Sequence, residues 1–265
     1  MAEIERDLSA GGVGEGIGAV VRSAQTMQAM TSISSALAAF WNAIGDIIAA
    51  GQQDARTEAL RTAFDWDDVL LRLELTAKKR GAMKASLMAA GWYNVEAMLA
   101  RLYVTRLPLA QQVYKTAALA EGWVDSRLDK AIAQGKTVTE LAREVRDFVD
   151  PKTPGGATYA ARRLARTEIN AAYHATTVVH NEDKPWNAGM QWRLSGSHPT
   201  VDICDSMARR NHSGLGPGVY PRDAVPSKPH PQCFCVVYPK VVTPKEFRAA
   251  FRAGAYDEYM AATYG

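Results

Sequence analysis

Apolar positions recur at helical spacing early in the chain. Ile33, Leu37, Phe40, Trp41, Ile44 and Ile48 follow the i, i+3, i+4 rhythm of one helix face. No Lys or Arg falls between Ser23 and Ala55. That argues against a helix lying on a membrane surface and for one packed against another helix or a partner chain. Ahead of it, five glycines in residues 11–18 predict a flexible arm over residues 1–23. Residues 53–150 read as a run of helices, so 24–150 forms one helical region. Asp65, Asp67 and Asp68 beside Trp66 mark a helix start, where carboxylates meet the positive end of the dipole. Pro108 breaks the pattern between Asn94 and Glu121. Thr137-Val-Thr-Glu140 is a capping box ahead of Leu141, Val145, Phe148 and Val149. Asp150-Pro151 and the turn Pro154-Gly155-Gly156 close that helix and set a boundary near residue 150.

Beyond the boundary the pattern changes. Residues 157–183 predict one long helix, with Leu164, Ile169, Ala172, Tyr173, Thr176 and Val179 on or near one face. Residues 190–194 alternate as a strand, and 234–242 form a second strand rich in Val and Tyr. Between them runs a loop of about forty residues rich in Gly, Pro, His and Asp, a length that compact domains keep for function or for a specific clamp. Thr243-Pro-Lys-Glu246 opens a last helix with a capping Thr, an early Pro and a reciprocal Glu. The expected fold is α+β: a mainly helical N-terminal region, then a small module over 151–265 with a long helix, a small sheet and a long irregular loop.

Composition narrows the classes. At 47% hydrophobic and 22% charged residues the 265-residue chain is globular. Its N-terminus, MAEIERDLSAGG, is charged and lacks the apolar segment of a secretory signal. No run of eighteen uncharged apolar residues occurs, so no ordinary transmembrane helix and no membrane partner is expected. Three cysteines are too few for a disulfide framework. The net charge of +3 is unevenly spread, and residues 151–265 hold fourteen basic against nine acidic side chains. That module is mildly basic, well short of a nucleic-acid-binding stripe.

All the cysteines and three of the five histidines fall within residues 197–235. They stand in Ser197-His-Pro-Thr-Val-Asp-Ile-Cys-Asp205, in His212, and in His230-Pro-Gln-Cys-Phe-Cys235. Cys204, His230, Cys233 and Cys235 have the donor chemistry of a structural zinc site, which would clip the loop to the second strand. Buried thiols or a disulfide are the alternative. Cysteines one apart on a strand point to opposite faces, and Met207 stands where Cys204 would find a natural partner. His198, Asp202, Asp205, His212 and His230 could instead hold a divalent ion with open positions, as in a metal-dependent hydrolase or nuclease, although no compact ligand motif is present. Cys204 with His230 would form a nucleophilic pair only if the fold brings them together. Gly214-Leu-Gly-Pro-Gly218 lacks the Lys and Ser/Thr of a phosphate loop and reads as turns. Arg162, Arg163, Arg166 and Glu168 make a charged helix face, read as solvated or as holding an internal salt bridge rather than as a phosphate site.

Leu164-Ala-Arg-Thr-Glu-Ile-Asn170-Ala-Ala-Tyr173, the strand around Trp192, Asp202-Ile-Cys-Asp205, Gly214-Leu-Gly-Pro-Gly-Val-Tyr-Pro221 and His230-Pro-Gln-Cys-Phe-Cys235 together resemble one family. It is the phage head morphogenesis family, the Mu F-like minor head proteins of tailed bacteriophages. The resemblance spans roughly residues 130–240 and rests on the combination of the Ala-Arg-Thr-Glu helix with the His-Pro-x-Cys-x-Cys end. It departs from the commoner pattern at Met207, where many members carry Cys, and at Phe234, where many carry Arg. It implies a structural, non-enzymatic role in head assembly at the portal vertex, in several copies per particle, with a part in DNA packaging or delivery. Portal and capsid proteins would be partners and DNA a weak one. The protein would be made in the host cytoplasm and reside in the virion. Arg166, Thr167, Glu168, Asp202 and Asp205 would then be structural motif residues, and the stripe Ile33, Leu37, Trp41, Ile44 and Ile48 would dock on the portal or a neighbouring copy.

Overall fold

The structure, a computed structural model, describes residues 12–89, 95–103, 106–134, 138–150, 152–198, 200–211 and 213–264. The helices are α1 (Gly12–Leu71), α2 (Ala77–Ala89), α3 (Val95–Leu102), α4 (Leu109–Ala133), α5 (Val138–Val149) and α6 (Ala157–Glu182). There follow strand β1 (Asn187–Arg193), helix α7 (Ile203–Arg209), strands β2 (Val219–Tyr220) and β3 (Val236–Val241), and helices α8 (Pro244–Arg252) and α9 (Asp257–Tyr264). The chain is α+β, with a mainly helical N-terminal region and a small antiparallel sheet.

The glycine-rich stretch read as part of a flexible arm is helical from Gly12 onward; residues 1–11 lie outside the described residues. The chain divides into two units interleaved in sequence, rather than at residue 150. One gathers Met1–Asp46 and Ala110–Arg162, the other Ile47–Leu109 and Arg163–Gly265. The physical reason is that α1 and α6 are long enough for each to supply residues to both cores.

In the first unit, α1 contributes Leu37 and Trp41, 7% and 1% exposed. Ile33, Ala36, Leu37 and Phe40 face Val145, Val149 and Ala157 across an apolar cavity of about 210 Å³. Val113 of α4 lies against Gly45. Trp123 stacks on Phe148 at 3.9 Å, and the Arg127 guanidinium lies over the Trp123 ring at 4.9 Å. The expected cap Thr137 and the expected terminator Pro151 lie outside the described residues, but the helix does end at Val149 and Gly155 turns with φ of 80°.

The docking stripe is thereby corrected. Leu37 and Trp41 are buried in the first unit and Ile48 in the second, while Ile33 and Ile44 are half-buried. Leu37, Trp41 and Ile48 are therefore core rather than free surface. Among the described residues, one stretch, Thr31–Leu71 of α1, is long and apolar enough by length and composition to cross a membrane, an 18-residue window within it having a mean hydropathy of 1.4. A core helix passes the same test, and many of the exposed positions in this stretch are alanine.

In the second unit, the C-terminal half of α1 packs Leu60, Phe64, Leu70 and Leu71 against α2, α3 and α6. Trp186 anchors this core, with Phe247, Tyr256 and Tyr259 edge-on at 5.2–5.8 Å. Asp65, Asp67 and Asp68 lie near the end of α1, not at a helix start. They serve as ion-pair partners instead: Asp65 for Lys84, Asp68 for Arg80, and fully buried Asp67 for Lys184. Pro108 does interrupt the helices, standing between the end of α3 and the start of α4.

The sheet has the order β2-β1-β3, all antiparallel, with Gln191 opposite both Val219 and Tyr238. The long loop is less irregular than expected, since it contains α7 and β2. Gly218 makes that compaction possible. Its φ is +67°, and a Cβ there would sit 2.4 Å from the Ala208 carbonyl oxygen, which no L side chain tolerates. The Thr243–Glu246 capping box forms as expected, and one more helix, α9, follows α8.

Candidate functional site

Every group of this site belongs to the second unit. It begins with the cap of α7. The carboxylate of Asp202 accepts the Cys204 N–H at 2.7 Å, and Asp205 Oδ2 accepts the Asp202 N–H at 3.0 Å. This reciprocal cap accounts for the Asp-x-x-Asp spacing, because each carboxylate satisfies an amide that the first turn would leave orphaned. The Asp202 amide and then the His198 ring hold the Asp205 carboxyl below its ordinary range. Arg209 also pairs with it at 3.0 Å.

The cap sets Cys204 facing inward. Cys204, Cys233 and Cys235 are all buried, and their Sγ atoms lie within 4.8 Å of one another. Opposite-facing cysteines were expected on a strand, but β3 starts only at Val236. Residues 233–235 are therefore free of the two-residue alternation and turn both thiols toward Cys204. Phe234 between them is exposed. The Cys204 and Cys233 sulfurs are 3.6 Å apart, far beyond the roughly 2.05 Å of a disulfide, and all three thiols are free.

Two histidines flank the thiols. His230 Nε2 lies 3.3 Å from Cys204 Sγ and 3.1 Å from Asp202 Oδ2, while its Nδ1 donates to the Pro231 carbonyl at 2.9 Å. His198 presents Nδ1 at 3.9 Å from Cys235 Sγ and holds Asp205 Oδ2 through Nε2 at 3.0 Å. Cys204, His230 and Asp202 do not form a Cys-His-Asp triad, because in a triad the carboxylate holds the ring nitrogen remote from the thiol and here one nitrogen of His230 faces both. Cys235, His198 and Asp205 do stand in that order, with the buried thiol 3.9 Å from the ring. Burial among the other thiols also pushes the Cys204 and Cys233 thiols up, away from the reactive thiolate. His212 lies outside the described residues.

The backbone of the cysteine loop is pinned from two sides. Lys228 Nζ donates to the carbonyls of Cys233 and Cys235 at 2.9 and 2.7 Å. Gln232 has φ of 59°, a conformation that costs an L-residue about 1–2 kcal/mol. Its N–H donates to Thr167 Oγ1 at 3.1 Å. Thr167 thus ties α6 to the His-Pro-x-Cys-x-Cys turn. Glu168 is 2% exposed and pairs with Arg106 at 2.7 Å, with Gln52 at 3.3 Å on the same oxygen. Of the two readings of this face, Glu168 takes the internal salt bridge rather than the solvated surface. Arg166 is exposed, and the orienting residues of the helix are Thr167 and Glu168.

A second buried polar group went unread in the sequence. Asp67 accepts from Lys184 Nζ at 2.5 Å and from Trp186 Nε1 at 2.9 Å, with all three side chains inaccessible. Burial pushes the carboxyl up and the ammonium down, and their mutual contact opposes both shifts. The signal was present: Leu60, Phe64, Asp67 and Leu71 share one helix face, so a carboxylate interrupts an apolar stripe.

Comparison of the chain with protein-family models, with curated proteins and with solved structures found no match.

Proposed function

We propose that the chain is a minor head protein of a tailed bacteriophage, of the Mu F-like head morphogenesis kind, acting at the portal vertex during head assembly. The observation that carries this is the meeting of the segments on which the resemblance rests. The Ala-Arg-Thr-Glu helix, the Asp202–Asp205 cap and the His-Pro-Gln-Cys-Phe-Cys turn lie 26 to 65 residues apart where they touch. Yet Thr167 holds Gln232, and Cys204 holds both His230 and Cys233. A motif whose distant parts serve one junction preserves a module, which is what a structural part of a particle requires. Portal and capsid proteins are its partners, several copies enter each particle, and the basic C-terminal module adds weak contact to packaged DNA.

The test is deletion of the coding sequence from the source phage, with proheads examined by electron microscopy and DNA content. Misassembled or unfilled heads, restored by the wild-type chain, are expected. Normal, filled heads without the chain would refute the role. A second reading, a metal-dependent hydrolase or nuclease, draws on His198, Asp202 and Asp205, whose donor atoms lie within 4.8 Å of one another. Cleavage of DNA by the purified chain with added Mg²⁺ or Mn²⁺, lost in Asp202→Asn, would favour it.

A further inference from the structure

We propose that the second unit binds one zinc ion through Cys204, Cys233, Cys235 and Nδ1 of His198. The donor distances fit first. A tetrahedral zinc with bonds of about 2.3 Å to sulfur and about 2.0 Å to nitrogen sets sulfurs about 3.8 Å apart and sulfur about 3.5 Å from nitrogen. Cys204 and Cys233 are 3.6 Å apart, and Cys235 is 3.9 Å from His198 Nδ1. Three buried thiols converge without a bond between them, one from the first turn of α7 and two from the turn before β3. Soft thiolates with one imidazole in a closed tetrahedron select zinc over magnesium or calcium.

The choice of histidine follows from the other ring nitrogen. His198 Nε2 faces Asp205 Oδ2 at 3.0 Å, which fixes the proton there and leaves the Nδ1 lone pair toward the thiols. Asp205 is itself held by the Asp202 amide and Arg209. His230 differs: its Nδ1 is engaged by the Pro231 carbonyl, and its Nε2, 3.3 Å from Cys204 Sγ, is shared with the closer Asp202 carboxylate at 3.1 Å. It borders the site without joining it.

Charge provides an independent observation. On binding, each of the three thiols releases its proton to solvent, and three thiolates with Zn²⁺ leave one negative charge. The Lys228 ammonium lies against the backbone of the same loop, on the carbonyls of Cys233 and Cys235. It neutralises that charge where water cannot. The ion would clip the loop before α7 and its first turn to the turn before β3, adding to the packing of the three cysteines among Trp192, Met207 and Val237.

The inference stands apart from head assembly, since no phage is needed to test it. The full chain, expressed in zinc-replete medium and purified under reducing conditions without chelator, is dialysed and its metal measured by plasma mass spectrometry. One zinc per chain is expected, and exchange with Co²⁺ should give thiolate charge-transfer and tetrahedral ligand-field bands. Cys233→Ser should lose the metal. His198→Ala should bind Co²⁺ at least about tenfold more weakly, and Asp205→Asn about 10–100-fold more weakly. His230→Ala should keep full stoichiometry. Wild-type protein that is metal-free and takes up no Co²⁺ would overturn the site, whatever the variants do. Loss of metal in His230→Ala with retention in His198→Ala would overturn the assignment of the fourth ligand.

Discussion

Replacing Asp67 with Asn isolates the buried charge of the second unit. The Asn side chain keeps an acceptor for Trp186 Nε1 but leaves Lys184, which is fully buried, without its counter-charge. An unpaired ammonium in that position gives up its proton. From an ordinary value of about 10.4, neutralising a lysine costs about 4.6 kcal/mol at pH 7 and about 1.9 kcal/mol at pH 9. The sign follows from proton binding. Burial already lowers the Lys184 value in the folded state, so the unfolded variant binds more protons and folded stability rises with pH up to the unfolded value. Urea unfolding followed by tryptophan fluorescence, on wild type and Asp67→Asn at both pH values, measures the difference. The penalty should approach 3–5 kcal/mol at pH 7, as for other broken buried pairs, and shrink by about 2.7 kcal/mol at pH 9. A penalty below about 1 kcal/mol at pH 7, or one equal at both pH values, would refute a charged, buried pair.

His174 and His180 make the fold acid-sensitive in the same sense, at lower pH. Burial, with Lys228 nearby, pushes His174 down to about 3, and burial with Lys184 nearby lowers His180 as well. Both protonate in the unfolded chain below about 6.5, so each should remove about 2 kcal/mol of stability between pH 7 and pH 5; His174→Gln should halve that loss, and an unchanged slope would contradict its burial as a neutral ring. Cys233→Ser should lower the melting temperature of the chain more than Arg162→Ala, whose side chain is exposed, and equal small effects would count against a staple at Cys233. Gly218→Ala should destabilise by about 1–3 kcal/mol, because its Cβ meets the Ala208 carbonyl and its φ is left-handed; a neutral substitution, seen in the same urea titration, would mean that the α7–β2 turn adjusts freely.

Helix α6, strands β1 and β3, the α8 cap and the break at Pro108 were legible because each rests on local chemistry: periodicity, alternation, a capping box, a missing N–H. The donors Cys204, His230, Cys233 and Cys235 were legible as residue types; the fold gathers the three thiols and sets His230 beside Cys204 with Asp202. The part of His198 in that cluster was not legible, because it depends on Asp205 holding one ring nitrogen, which is a tertiary fact. The docking stripe failed for the same reason. Periodicity at Leu37, Trp41 and Ile48 reveals an apolar face without saying what covers it, and here the chain covers its own. Asp67 was misplaced because a cluster of acids suits a helix start, whereas its position on the Leu60–Phe64–Leu71 face already required a buried cation. The two interleaved units could not be read from a composition shift at residue 150, since two long helices each serve both cores.

Quantitative mass spectrometry of proheads and mature particles of the source phage, with portal and major capsid proteins as internal references, tests the proposed role most directly. A head protein at the portal vertex predicts a few copies of this chain per particle, at or below the portal count. Absence of the chain from proheads and mature particles alike would contradict it.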